Sequence, residues 1–111
     1  YALKYGFDAF VGAGMRCDRI VLTGGGSNSA AWRQMVADVF GLPVEVPQQS
    51  EGAAFGAALQ ALWALQRSAA THVTPDAAAT ATPDGARSAA YALAYQRYLQ
   101  HLHAVMPLYR G

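Results

Sequence analysis

Four residues that favour extended backbone, Ile20-Val21-Leu22-Thr23, run straight into Gly24-Gly25-Gly26-Ser27-Asn28-Ser29, and a helical pattern opens at Ala30. This junction constrains the fold more than any other part of the chain. Side chains branched at Cβ fit a pleated strand, and the flanking turn residues make the run a buried strand rather than a piece of helix. Three adjacent glycines then permit only a turn. From Ala30 to Phe40 the apolar residues Trp32, Met35, Val36, Val39 and Phe40 recur at i, i+3 and i+4 spacing. Gly41 supplies a stop and Pro43 prevents continuation. Val44-Glu45-Val46 is a second short strand, closed by Pro47. Strand, helix and strand in that order demand a parallel crossover, right-handed by the general rule. The fold class is therefore α/β.

The flanking segments read as helices. Leu3, Phe7, Phe10 and Val11 lie at helical spacing and Gly14 closes the pattern, but no Ser, Thr, Asp or Asn precedes it as a cap. A helix that starts on its own first residue leaves its leading N–H groups without designed partners, so a longer parent polypeptide is expected. A further helix is expected from Glu51 to Arg67, capped by Ser50 with Glu51 matched to its dipole. Its first half, Gly52, Ala53, Ala54, Gly56, Ala57 and Ala58, has almost no side-chain bulk. Glycine inside a helix costs roughly 0.5–1 kcal/mol relative to alanine. Close approach of another backbone, or of a ligand, explains such a cost. Its second half, Leu59, Leu62, Trp63 and Leu65, reads as core. Residues 71–86, rich in Ala, Thr and Pro, read as a solvated loop with one helical turn from Asp76. Arg87 to Val105 is a last helix, with Tyr91, Tyr95, Tyr98 and Leu102 on one stripe and Pro107 as its end. The order is α-β-α-β-α-loop-α. Parallel sheets want both faces covered and usually more than two strands, so the remaining strands are expected upstream.

Composition removes several classes of function. Eight Lys and Arg against seven Asp and Glu leave a net charge of +1 over 111 residues, which offers no field to a nucleic-acid backbone. The charge-free stretch from Gly52 to Gln66 falls short of the ~20 residues that cross a bilayer, and no basic region feeds an apolar one at the start. A single cysteine, Cys17, excludes an internal disulfide framework and a multi-cysteine zinc site, and a reducing, cytoplasmic compartment is the expectation.

The turn from Gly24 to Ser29 is the strongest candidate site. It leaves the carboxyl end of a strand and opens a helix, where α/β sheets bind ligands on free N–H groups and a partial positive charge. Glycines let backbone lie directly against a flat ring or a phosphate. No Gly-Lys-Ser/Thr follows, so this is not a P-loop, and Ser29 breaks the G-x-G-x-x-G fingerprint. A tight turn and a nucleotide seat both fit these residues. Elsewhere the signals are weaker. His101 and His103 point in different directions on a helix and cannot share a metal. Asp8, Asp18 and Asp38 lack partners at useful spacing, and Asp38 reads as part of a solvated face. Cys17 reads as a small packing residue, and the tyrosine stripe as a docking surface.

Taken together, Ile20-Val21-Leu22-Thr23-Gly24-Gly25-Gly26-Ser27, Trp32-Arg33-Gln34-Met35 with Ala37-Asp38, Gly41-Leu42-Pro43-Val44, and Glu51-Gly52-Ala53-Ala54-Phe55-Gly56-Ala57-Ala58 resemble the C-terminal portion of the FGGY carbohydrate kinases. The resemblance is clear from Tyr1 to Gln66 and looser over the tail. It implies an actin-like ATPase (ribonuclease H-like) fold, with residues 1–70 forming the end of the second kinase domain on its nucleotide side. Residues 71–86 would be a loop and residues 87–111 a terminal helix and tail. The same resemblance implies that Gly24, Gly25 and Gly26 lie against the adenosine part of ATP and that Ser29 approaches the base. The parent would transfer the γ-phosphoryl group of Mg2+-bound ATP to a sugar, D-xylulose being the favoured substrate and gluconate the rival. Its catalytic aspartate, phosphate loop and sugar pocket would belong to upstream segments. The isolated chain is therefore expected to be inactive, and no catalytic or metal-binding residue is assigned within it. The remainder of the kinase chain would be its partner, and a homodimer is compatible. A non-enzymatic actin-like ATPase module and a stand-alone binding module are the alternatives. Trp32-Arg33-Gln34-Met35 argues against the first, and the strand count against the second.

Overall fold

A computed structural model describes residues 1–48, 52–66 and 75–109. The first helix, α1 (Ala2–Gly12), has Tyr1 at its cap position with no side-chain hydrogen bond, as its sequence requires. Gly14, at φ 95°, turns the chain out of it. The strands β1 (Ile20–Val21) and β2 (Val44–Glu45) pair in parallel, with Ile20 opposite Val44 and Val21 opposite Glu45. The Ile20 N–H donates to Pro43 O at 2.8 Å and the Leu22 N–H to Glu45 O at 2.9 Å. Between the strands, α2 (Ala30–Phe40) starts on Ser29, whose hydroxyl accepts from the Trp32 N–H, and ends on Gly41 in the left-handed region at φ 69°. The α/β crossover is as the sequence indicates.

The sheet gains an edge from an unexpected place. Val44 and Ala81 exchange two backbone hydrogen bonds, of 2.8 and 2.9 Å, in an antiparallel bridge, and the Asp76 N–H reaches Val46 O at 2.7 Å. The Val44 groups that bond Ala81 point away from β1, so this segment lies on the other side of β2. Residues 75–80 are exposed or half-exposed, as expected of a solvated loop, and the reading is corrected only at Ala81, which is buried. Alanine and threonine give no strand pattern, and backbone hydrogen bonds alone make the pairing. The short helical turn expected at Asp76 is present as Ala77–Ala79, with the Asp76 carboxylate accepting from the Ala78 N–H.

Val36, Ala37, Val44 and Ala81 form the core between α2 and the sheet, with Ile20, Leu22 and Phe40 packed at its margin. The last helix, α4 (Gly85–Val105), is capped by Asp84 and stops at Val105, just ahead of Pro107, as the sequence indicates; a single tighter turn, Met106–Tyr109, follows it. Its tyrosines do dock. Tyr1 lies 5.6 and 5.7 Å from the ring centres of Tyr95 and Tyr98, and 6.5 Å from that of Tyr91. The Tyr95 hydroxyl donates to Asp8, which also pairs with Lys4. Burial, then the bond to Asp8, pushes the Tyr95 phenol up to about 12.

Two expectations of burial fail. Val21 is 53 % exposed, so β1 is not covered on both faces. In α3 (Gly52–Gln66), Leu62, Trp63 and Leu65 are exposed, Leu65 by 84 %, rather than core. Apolar periodicity marks a face that wants cover, and no described residue supplies it. Ser50 and Glu51, the expected cap of α3, lie outside the described residues.

Candidate functional site

The turn leaves β1 at its carboxyl end. Gly24 sits at φ 82° and ψ −175°, a region essentially closed to residues with a Cβ. Gly25–Asn28 then wind one tight turn, delivering the chain to Ser29 and α2. Side-chain atoms added at Gly24 or Gly25 would meet nothing within 4 Å, so this stretch of backbone faces open space. Gly26 differs. A Cβ there would lie 3.1 Å from the Trp32 indole, which occupies the other side of the turn.

Two side chains hold this shape. Ser27, only 1 % exposed, donates its hydroxyl to Gly24 O at 2.7 Å, and its N–H reaches the same oxygen at 3.0 Å. Arg33, one turn into α2, donates Nη1–H to Ser27 O at 2.7 Å. Ser29 is exposed and spends one lone pair as the α2 cap, leaving its O–H and a second lone pair available. All four residues expected at the site, Gly24, Gly25, Gly26 and Ser29, therefore lie on one continuous turn. Ser27 and Arg33 were not singled out as site residues. A serine directly after a glycine run and a basic residue in a helix's first turn are the signals the sequence offers.

The start of α3 reaches the same place. A Cβ on Gly52 would fall 2.9 Å from Thr23 Oγ1, so the small-residue half of α3 meets the strand end just ahead of Gly24. Close approach is confined to that end, since Gly56 has open space. On the face of β1 and α2 that adjoins α1, Leu3, Phe7, Phe10, Leu22, Trp32 and Val36 line an apolar groove of about 460 Å³.

The other candidates separate. Asp38 is corrected from a solvated position to a buried one, 2 % exposed. It accepts from the Asp84 N–H at 2.7 Å, Gln34 Nε2 at 2.9 Å and Arg87 Nε at 2.7 Å. Burial alone would raise its pKa, but these donors outweigh it and hold the carboxyl below the usual range. Two of its partners, Asp84 and Arg87, lie 46 and 49 residues away, beyond any local pattern, while Gln34 precedes it by one turn of the same helix. Cys17 is exposed, with its thiol directed at Arg19 O, and does not pack. His101 and His103 are exposed on α4. Among the described residues no three His, Cys, Asp or Glu side chains come together, and no helix is long and apolar enough to cross a membrane.

A parallel strand, a glycine turn and a helix in this order form a segment of an actin-like ATPase fold. A ligand-bound xylulose kinase and a gluconate kinase, both from Lactobacillus acidophilus, share this fold at a TM-score of 0.67 and 20% identity. Each match covers 82% of this chain and 19% of the neighbour. In sequence, the chain is 41% identical over 107 residues to the xylulose kinase of Haemophilus influenzae, covering 92% of this chain and 22% of that one. Residues 1–65 match the profile of the FGGY family of carbohydrate kinases, C-terminal domain. The chain belongs to that family. It spans about a fifth of the length of the relatives it matches.

Proposed function

We propose that this chain is the nucleotide-binding end of an ATP-dependent kinase that converts D-xylulose to D-xylulose 5-phosphate. The observation that carries the nucleotide part is the open backbone at Gly24 and Gly25 beside a strand end. A cradle that a Cβ would fill fits the planar adenosine portion of ATP. Gly24, Gly25 and Gly26 line that seat, and Ser29 offers its free hydroxyl valence toward the base. Bound ATP supplies the γ-phosphoryl group, which must be brought in line with a sugar hydroxyl in a site closed to water. This chain's contribution is to hold and orient the nucleotide. The described residues offer no ligand set for Mg2+. Metal, catalytic base and sugar are assigned to other parts of the kinase, whose remaining chain would also cover the apolar groove lined by Phe10, Leu22 and Trp32. A cytoplasmic location goes with this reading.

The sugar rests on the 41% identity to a xylulose kinase. The equal fold similarity to a gluconate kinase keeps gluconate as a second candidate. The test is sugar-dependent ADP release by the full-length kinase. The proposal expects D-xylulose to give the highest kcat/KM, and a preference for gluconate would replace it as the substrate. In the same enzyme, Gly25→Val should raise the nucleotide KM and spare the sugar KM.

A further inference from the structure

We propose that Arg33 and Ser27 act as a lock that sets the shape of the Gly24–Gly26 turn, making them positioning residues for the nucleotide; this rests on the nucleotide reading of that turn. Three glycines in a row have the widest conformational freedom a chain can have, so an open turn of this kind would sample many shapes. A binding surface made of backbone needs one shape in advance, because ordering it at the moment of binding weakens affinity.

The structure provides the constraint in two linked contacts. The buried Ser27 directs both its N–H and its hydroxyl to Gly24 O, closing the turn on its inner side. The carbonyl of the same serine receives Arg33 Nη1–H, tying the turn to the body of α2. Arg33 stands in the first turn of α2, where the helix dipole disfavours a positive charge. A cation placed against that field gains by meeting a carbonyl dipole, and Ser27 O at 2.7 Å is that dipole. Helical side chains lean toward the N-terminus, which carries the Arg33 stem back to the turn. Neither side chain occupies the open side at Gly24 and Gly25, so the lock works from behind the surface it shapes.

The experiment measures nucleotide and sugar KM and kcat in the full-length kinase for Arg33→Ala, Arg33→Lys, Arg33→Met, Ser27→Ala and Gly25→Val. Arg33→Ala is expected to raise the nucleotide KM about tenfold, the factor that about 1.4 kcal/mol makes in an equilibrium constant. kcat at saturating nucleotide and the sugar KM should stay within about twofold. Arg33→Lys, which keeps one donor, should recover part of the loss. Arg33→Met, which keeps the stem without a donor, should not. Ser27→Ala should shift the nucleotide KM in the same direction. An unchanged nucleotide KM in Arg33→Ala, or equal values for the Lys and Met variants, overturns the lock. If Arg33→Ala does not fold, the Lys–Met comparison and Ser27→Ala carry the same decision. A raised nucleotide KM in Gly25→Val with none in the Arg33 and Ser27 variants removes the lock and leaves the nucleotide seat standing. No shift in any of them removes both.

Discussion

Replacing Asp38 by alanine should release the N-terminal turn of α4 from α2. Asp38 receives three donors at a buried carboxylate, and of these the Asp84 N–H and Arg87 come from the start of α4, whereas Gln34 lies on α2 itself, four residues before Asp38. A hydrogen bond to a charged group contributes about 1.5–3 kcal/mol net. Arg87 is half-exposed, so its pairing is screened by solvent and adds nothing to this sum. The lower end of the range applies to the Asp84 bond, because that N–H can turn to water once the carboxylate is gone. The loss is then about 1.5 kcal/mol, or roughly tenfold in the local opening equilibrium. Hydrogen exchange in the full-length kinase reads this directly. The Asp84, Arg87 and Ser88 amides should exchange roughly tenfold faster in Asp38→Ala, with a smaller change in Asp38→Asn, which keeps one acceptor oxygen. Unchanged protection at those three amides would refute the clamp.

The same carboxylate sets a pH dependence. Its folded pKa is depressed, so its stabilisation is complete above the ordinary value of 3.8 and is lost as pH falls from there through the lower folded value. Asp38→Asn should remove that component from an acid-unfolding curve; an unaltered curve would refute it. Trp32 lies against Gly26, so nucleotide binding should change tryptophan emission in the full-length kinase, and Trp32→Phe should remove that part of the change. Gly52→Ala would force a Cβ to 2.9 Å from Thr23 Oγ1 and should destabilise by about 1–2 kcal/mol in a denaturant melt. The isolated 111-residue chain should release no ADP with D-xylulose, and measurable turnover would contradict the assignment of chemistry to the rest of the kinase.

The crossover was legible because each signal in it is local. Ile20-Val21 before three glycines, and the Trp32 to Phe40 spacing closed by Gly41, encode strand, turn and helix within a few residues. The helix bounds of α2 agree with the structure at both ends. The candidate turn was legible for the same reason, and the structure brings its four residues onto one loop. What escaped is long-range. Asp38 looks solvated on a helical wheel, and only the return of the chain at Asp84 and Arg87 buries it. Ala81 enters the sheet through backbone hydrogen bonds that its side chain does not announce. Leu62, Trp63 and Leu65 carry the pattern of core yet stand exposed, because periodicity records a face that needs cover and not what covers it.

The most direct measurement is a crystal structure of the full-length kinase with a non-hydrolysable ATP analogue. The adenosine portion is expected in van der Waals contact with the backbone of Gly24 and Gly25, with the Arg33 to Ser27 hydrogen bond intact behind it. A nucleotide bound elsewhere, with side chains from the rest of the enzyme filling the space over those two glycines, would contradict it.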